Sequence, residues 1–411
     1  MALTNRTARD GDGPGRRVTV TRVASLLLSR GVLAMTFGSI ALFLPLLRHD
    51  LDLTFSEAGA LSAGSTLVYA LMQIPAGYLS DRFGPRRVLV VGFGGTSLLM
   101  LALAGAQDFQ QALVIQSVFG FFRALAFAPG LVLIAAWLPP DRRATALSMT
   151  VASNFGFQML LNLIAPTVEQ WIGWRAIFVA VAVSGVVAAA LFASVADDSG
   201  VARSRSPIGE GLSELLRIPT MWLIAGVQFA RLAVAMSVTF WMPTFLVEEH
   251  GLSISAAGVV LALGAGATAV SNFGGAYVSD RLARPLLVIG GSLAVLTVTS
   301  TLLAVAPTTA LVVAIFLVHA SFMQVYFGPL FALPIELLRV RAEGLATGFG
   351  NFFANAGAFT FAFSLGAVKD GTGSFAAGFI ALGATAFVGL LLTIAIARTA
   401  REPARGSTVE A

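Results

Sequence analysis

YALMQIPAGYLSDRFGPRRVLVVGFGG, residues 69–95, is two apolar runs joined by a short, charged, glycine-bearing turn. The apolar runs continue outward on both sides, far enough for each to cross a bilayer, which takes about 20 residues. The turn carries three arginines and one aspartate. Two hundred residues later the chain does this again, with AYVSDRLARPL at 276–286 between two further apolar runs. A chain that repeats a helix–basic turn–helix unit at this distance is built from two related halves.

Composition agrees. The 411 residues are 57% hydrophobic and 11% charged, with a mean hydropathy of +0.85, whereas soluble domains carry roughly 25% charged residues. There is no cysteine, which excludes disulfides and thiolate metal sites. Three histidines spread along the chain exclude a histidine-rich metal centre. Neither a cofactor nor a metal is expected. GFGG (92–95) and ALGAGA (262–267) are not phosphate loops: no Gly-Lys-Ser/Thr follows, and both lie inside apolar runs, where small residues allow close helix packing.

Apolar runs of spanning length number twelve, at 23–47, 57–79, 88–106, 110–137, 144–166, 174–196, 219–246, 254–278, 285–305, 309–336, 343–367 and 375–397. They are expected to be helices, because a lipid-exposed segment must satisfy its own backbone hydrogen bonds. The expected fold class is therefore an all-α membrane protein of two pseudo-symmetric six-helix bundles. An even number of spans puts both termini on one side. Twenty of the 26 Lys and Arg then fall on that side, three on the other (Arg48, Arg175, Lys369) and three within spans (Arg30, Arg123, Arg231). The positive-inside rule makes the basic side cytoplasmic and predicts a multi-pass protein of the cell membrane. The net charge of +5 is thus a topology signal, not a nucleic-acid one.

The longest polar connection divides the chain. The expected organisation is a disordered cytoplasmic tail at 1–21, a first bundle at 22–196, a cytoplasmic linker at 197–218, a second bundle at 219–397 and a tail at 398–411. RGVLAMT (30–36) and RLAVAMS (231–237) set an arginine in matching places of the first and seventh spans.

GYLSDRFGPRR (77–87) resembles the signature loop of the major facilitator superfamily, with Gly77, Asp81, Arg82, Gly84, Arg86 and Arg87 matching. The second copy keeps Asp280 and Arg281. The resemblance implies a transporter, not an enzyme, in which these residues form a conformational latch at the cytoplasmic face. Members of this kind act mostly as monomers. Arg30, Arg231, span two and FGNFFANAGAFTFAF (349–363) are similar to the organic-anion branch, the anion:cation symporters. That branch carries Arg-x-x-x-Gly-x-x-Glu in span four. Here Gln116, Gly120 and Arg123 occupy the frame, so arginine stands where the proton-coupling glutamate would be.

An arginine at the bilayer centre costs on the order of 3 kcal/mol on insertion scales, so each of the three needs a partner, a cavity or a snorkelling route. Snorkelling suits Arg30, near the cytoplasmic end of its span, better than Arg123 or Arg231. No carboxylate lies at comparable depth; Glu336 sits at the end of span ten. A guanidinium is planar, always charged and suited to carboxylate or phosphate, which makes an anionic cargo its partner. The only lysine is Lys369, outside the spans, which favours carboxylates such as sugar acids over phosphate esters.

Polar residues at helical spacing surround these positions: Tyr69 and Gln73; Asn154 and Gln158, with Asn162; Asn351 and Asn355. Each could equally be interhelical glue. His319 in span ten is either a hydrogen-bonded structural histidine or a proton-coupling group. The expected function is secondary transport of a small organic anion by alternating access, with protons or a counter-anion as the coupled species. A drug:proton antiporter and a non-transporting sensor on the same scaffold are the alternatives. Arginine rather than an acid in span one speaks against the first, and the lack of an output domain against the second.

Overall fold

The computed structural model describes residues 14–199, 216–282, 284–327, 329–330, 333 and 343–399. Thirteen α-helices carry the fold among the described residues: α1 (Pro14–Leu42), α2 (Leu44–Asp50), α3 (Phe55–Phe83), α4 (Pro85–Ala104), α5 (Phe109–Ala124), α6 (Ala128–Trp137), α7 (Pro140–Val195), α8 (Pro219–Thr244), α9 (Ile254–Leu282), α10 (Pro285–Val305), α11 (Thr309–Phe322), α12 (Glu343–Thr372) and α13 (Ala376–Thr399). Among the described residues nine helical stretches are long and apolar enough to cross a membrane, one of them running through α5 and α6.

Local chemistry explains where helices begin. Thr54 and Glu57 form a reciprocal capping box on α3, and Asp108 accepts from the Gln111 amide to cap α5. Pro85, Pro219 and Pro285 stand in the first turns of α4, α8 and α10, where a missing N–H costs nothing.

The helical bounds differ from the apolar runs in four places. The first helix starts at Pro14, inside the stretch expected to be a polar tail, because hydropathy registers only the oily part of a helix. The runs 144–166 and 174–196 lie on one helical stretch broken at Gly173, whose φ of +77° suits glycine. Its apolar part, Met149–Val195, would reach about 70 Å if straight, more than twice a bilayer core. The run 110–137 is interrupted between α5 and α6, and the helix that opens the run 309–336 ends at Phe322, with helical residues again at 327, 329, 330 and 333. Beyond α8 the chain widens into a five-residue π-helical turn, Phe245–Glu249.

These last two interruptions are related. At 123–130 the backbone makes i→i+3 hydrogen bonds (Ala126 to Arg123, Phe127 to Ala124, Gly130 to Phe127), ahead of and around Pro129. At 320–327 it does likewise (Met323 to Ala320, Val325 to Phe322, Phe327 to Gln324), just before Pro329. Each proline lacks the N–H that an unbroken helix would use. Phe127-Ala128-Pro129 and Phe327-Gly328-Pro329 are the same motif, 200 residues apart.

The helices before 200 meet those after 215 through hydrogen bonds and ion pairs at one end only, among the described residues. Arg48 grips the Glu248 carboxylate with two bonds of 3.1 and 2.8 Å. Asp370 accepts from the amides of Phe55 (2.9 Å) and Ser56 (2.7 Å) and from the Ser56 hydroxyl, placing an anion at the N-terminus of α3. Gln170 donates to Ser255 at 2.8 Å. The π-helical turn supplies Glu248 to this seal and sets Glu249 against Lys369 and the Phe375 amide.

Candidate functional site

All three membrane-depth arginines are held by neutral groups among the contacts that describe them. On α1, Arg30 is 9% exposed and donates from Nη1 to the Ala126 carbonyl at 2.9 Å, with the ring of Phe127 5.5 Å from its guanidinium carbon. That carbonyl is available because Gly130, its i+4 partner, bonds to Phe127 instead. Arg30 therefore caps the break between α5 and α6.

Arg231 on α8 is 2% exposed. Its Nε donates to Gln228 at 2.6 Å, and its backbone oxygen accepts from the Tyr326 hydroxyl at 3.3 Å. The rings of Tyr326 and Phe327 each lie 5.5 Å from its guanidinium carbon. Each arginine thus faces the Phe-x-Pro break of its own set of helices. Sequence reading found Arg30 and Arg231 but not Phe127, Tyr326 or Phe327. The Phe-x-Pro repeat was the available signal.

Arg123, on α5, is flanked by aromatic rings. Its guanidinium carbon is 4.3 Å from the centroid of Phe37 on α1 and 4.4 Å from that of Tyr69 on α3. Its Nη1 is buried without a hydrogen-bond partner among the described residues. One turn beyond Tyr69, Gln73 also has a buried, unpartnered Nε2. Gln116 is buried on α5, two turns before Arg123.

On α7, Gln158 lies against Gly38 of α1 and donates to Asn162 at 3.3 Å, while Asn154 is half-buried one turn earlier. On α12, Asn355 spends its amide on the Asn351 carbonyl at 2.8 Å, which ties it to its own helix. His319 belongs elsewhere. It is fully buried on α11, with Nδ1 2.8 Å from the Thr299 hydroxyl of α10.

The basic turn after α3 is organised by residues that looked like the start of a linker. Gly84 has φ +89°, and a Cβ there would lie 2.6 Å from an Asp198 oxygen. Asp198 accepts from the Arg86 amide at 2.9 Å, so its charge covers the N-terminus of α4. Arg86 also reaches the Ala193 carbonyl, and Asp197 pairs with Arg22. Arg82 bonds to Tyr78 at 3.2 Å, as Arg281 does to Tyr277 at 3.0 Å in the second copy. Asp81 and Arg87 are exposed, and Gly77 faces open space. The side chain of Asp280 lies outside the described residues, as does Glu336. Among the described residues there is no cluster of His, Cys, Asp and Glu able to hold a metal.

Comparison with known proteins bears on this architecture. A nitrite extrusion protein of Bacillus subtilis is 25% identical over 84% of this chain and 86% of its own length. A hexuronate transporter of the same organism is 24% identical, covering 88% and 90%. A D-galactonate transporter of Escherichia coli is 22% identical, covering 92% and 95%. The fold matches that of a bacterial homologue of the human lysosomal transporter Spinster, solved inward-facing and occupied. The TM-score is 0.76 at 16% identity, over 95% of this chain and 98% of that one. Residues 26–362 match the Major Facilitator Superfamily, so the chain is an all-helical, multi-pass membrane transporter of that family, related to carriers of anions and not an enzyme.

Proposed function

We propose that the protein is a secondary transporter of a small organic anion, a carboxylate such as a sugar acid. The observation that carries this reading is the burial of Arg30 and the half-burial of Arg123 against carbonyl oxygen and aromatic rings, with no carboxylate beside either among the described residues. A fixed buried charge without a counter-charge is costly. An incoming anion supplies one, and Arg231 offers a third cation from the trailing helices.

In this reading twelve spans form two six-helix halves, 22–196 and 219–397, joined by a linker at 197–218, with both termini in the cytoplasm. The sealed end then faces outward and the basic turns face the cytosol. The halves rock about a central site lined by Tyr69, Gln73, Gln116, Asn154, Gln158, Asn351 and Asn355. Gly77, Asp81, Arg82, Gly84, Arg86, Arg87, Asp280 and Arg281 are the latch that engages when the cytoplasmic side closes. A ligand gripped by arginines from both halves favours the closed forms because it bridges them.

Arg123 replaces the acid that would carry a proton in span four, and His319 is bonded through Nδ1 to Thr299, with its Nε2 buried and unpartnered among the described residues. In this reading transport is anion exchange or movement down the anion gradient. Uptake of labelled D-galactonate into proteoliposomes, with and without an imposed pH gradient, tests this. Equal rates support it, and uptake that needs the gradient contradicts it.

A second reading, an inorganic anion such as nitrate or nitrite, is favoured by the similarity to the nitrite extrusion protein. Competition between nitrate and D-galactonate in the same assay separates the two.

A further inference from the structure

Arg123 differs from the other two arginines in what its contacts leave free. Arg30 spends a guanidinium N–H on the Ala126 carbonyl, and Arg231 spends one on Gln228. Arg123 makes no hydrogen bond or ion pair among the described residues. It is held by ring faces, at 4.3 Å on the Phe37 side and 4.4 Å on the Tyr69 side. The two rings come from different helices, α1 and α3.

Contact through ring faces engages the charge of a guanidinium and leaves its N–H edge available. The buried, unpartnered Nη1 lies on that edge. The buried, unpartnered Nε2 of Gln73 is one helical turn from Tyr69, on the same face of α3. Two buried donors without acceptors, one against the Tyr69 ring and one a turn along the same helix face, mark a place for an acceptor-rich group.

Shape restricts that group. An anion that meets the guanidinium edge in its own plane continues between the rings. A flat trigonal head lies at ordinary contact, about 3.5–4 Å, from each ring. A tetrahedral head must thrust at least one oxygen out of the plane, towards Phe37 or Tyr69.

We infer that Arg123, with Gln73, takes the charged head of the cargo edge-on, and that Phe37 and Tyr69 form a slot selecting planar oxyanions, carboxylate or nitrate, over tetrahedral phosphate or sulfonate. This rests on the anion-transport reading and narrows it. It also gives Arg123 the direct contact, with Arg30 holding the helix break beside it.

The test is competition against labelled D-galactonate on the purified full-length chain in lipid nanodiscs, using nitrate, acetate, phosphate and methanesulfonate. Nitrate and acetate should compete at least ~10-fold more strongly than phosphate and methanesulfonate, the scale of one charged hydrogen bond. Tyr69→Leu, which opens one wall without touching the charge, should shrink that ratio below about 3-fold. Arg123→Lys should weaken D-galactonate binding at least ~10-fold although the charge remains, because an ammonium cannot match the fork. Equal competition by planar and tetrahedral anions, or unchanged binding in Arg123→Lys, overturns the slot while leaving anion transport standing. Binding of none of these anions overturns the transport reading and the slot with it. If Arg123→Lys does not fold, the Tyr69→Leu ratio decides.

Discussion

Arg30 donates a 2.9 Å hydrogen bond from α1 to the carbonyl of Ala126, an oxygen freed by the break between α5 and α6. The arginine is thus bonded to an interruption of the helix as well as being a proposed cargo contact. A ligand that draws the guanidinium away releases that carbonyl, which gives binding a route to the bend of the fourth span. Arg30→Gln should lower uptake by at least ~10-fold, the worth of a charged hydrogen bond. Arg30→Lys should recover part of it. The readout is initial uptake rate at matched protein amounts in proteoliposomes.

The seal at the opposite end is made of contacts that are individually weak. The Arg48 and Glu248 side chains are 25% and 21% exposed, and such pairs contribute about 0–1 kcal/mol. A seal of this kind can open and close under the free energy of binding one ligand. Glu248→Gln should shift the population towards opening at that end by about 2- to 5-fold. The cysteine-free chain permits the measurement directly: spin labels on Asp52→Cys and Ser253→Cys should report a larger fraction of long distances.

Closer packing gives a stronger perturbation at the same seal. A Cβ on Gly366 would lie 2.2 Å from the Phe55 carbonyl, backbone against side chain, where neither can yield cheaply. Gly366→Ala should keep the fold and block closure at this end. The same spin-label pair should then show mainly long distances, and uptake should fall by more than in Glu248→Gln.

We propose a structural role for His319. Its Nδ1 is taken by the Thr299 hydroxyl, and it lies between α10 and α11 rather than beside any of the arginines. His319→Gln should leave the dependence of uptake on an imposed pH gradient as it is in the parent protein. Its measurable cost should be in melting temperature, since a buried hydrogen bond worth about 1 kcal/mol is disturbed.

Asp198 holds the basic turn to the end of α7, through the Arg86 amide and the space left by Gly84. Asp198→Ala should lower stability by about 1 kcal/mol, the usual cost of losing a helix cap. It should also slow transport, because the turn it orders is the proposed latch. Melting temperature and uptake rate, compared with Asp198→Asn, check this.

Much of this architecture is legible from residue order, for identifiable reasons. Hydropathy marks the spans because lipid permits little else, and Arg30 and Arg231 stand out because charge at that depth is rare. The Phe-x-Pro breaks were readable at 127–129 and 327–329 but were passed over within long apolar runs. Asp198, Asp370 and Glu248 were not legible. Each acts on a partner more than a hundred residues away, and nothing local distinguishes it from an ordinary loop acid. The Phe37–Arg123–Tyr69 arrangement is hidden similarly: Arg123 and Tyr69 stand out in the sequence, but three helices contribute one residue each and Phe37 looks like core.

The central claim is that arginines from both sets of helices bind an anion and carry it across. Uptake of labelled D-galactonate and of nitrate by purified protein in proteoliposomes, measured for the parent chain, Arg30→Gln and Arg231→Gln, addresses it most directly. The account predicts saturable uptake of at least one anion by the parent chain and its loss in both variants, with melting temperatures little changed. Normal uptake in both variants, or a parent chain that moves lipophilic cations and no anion, would contradict it.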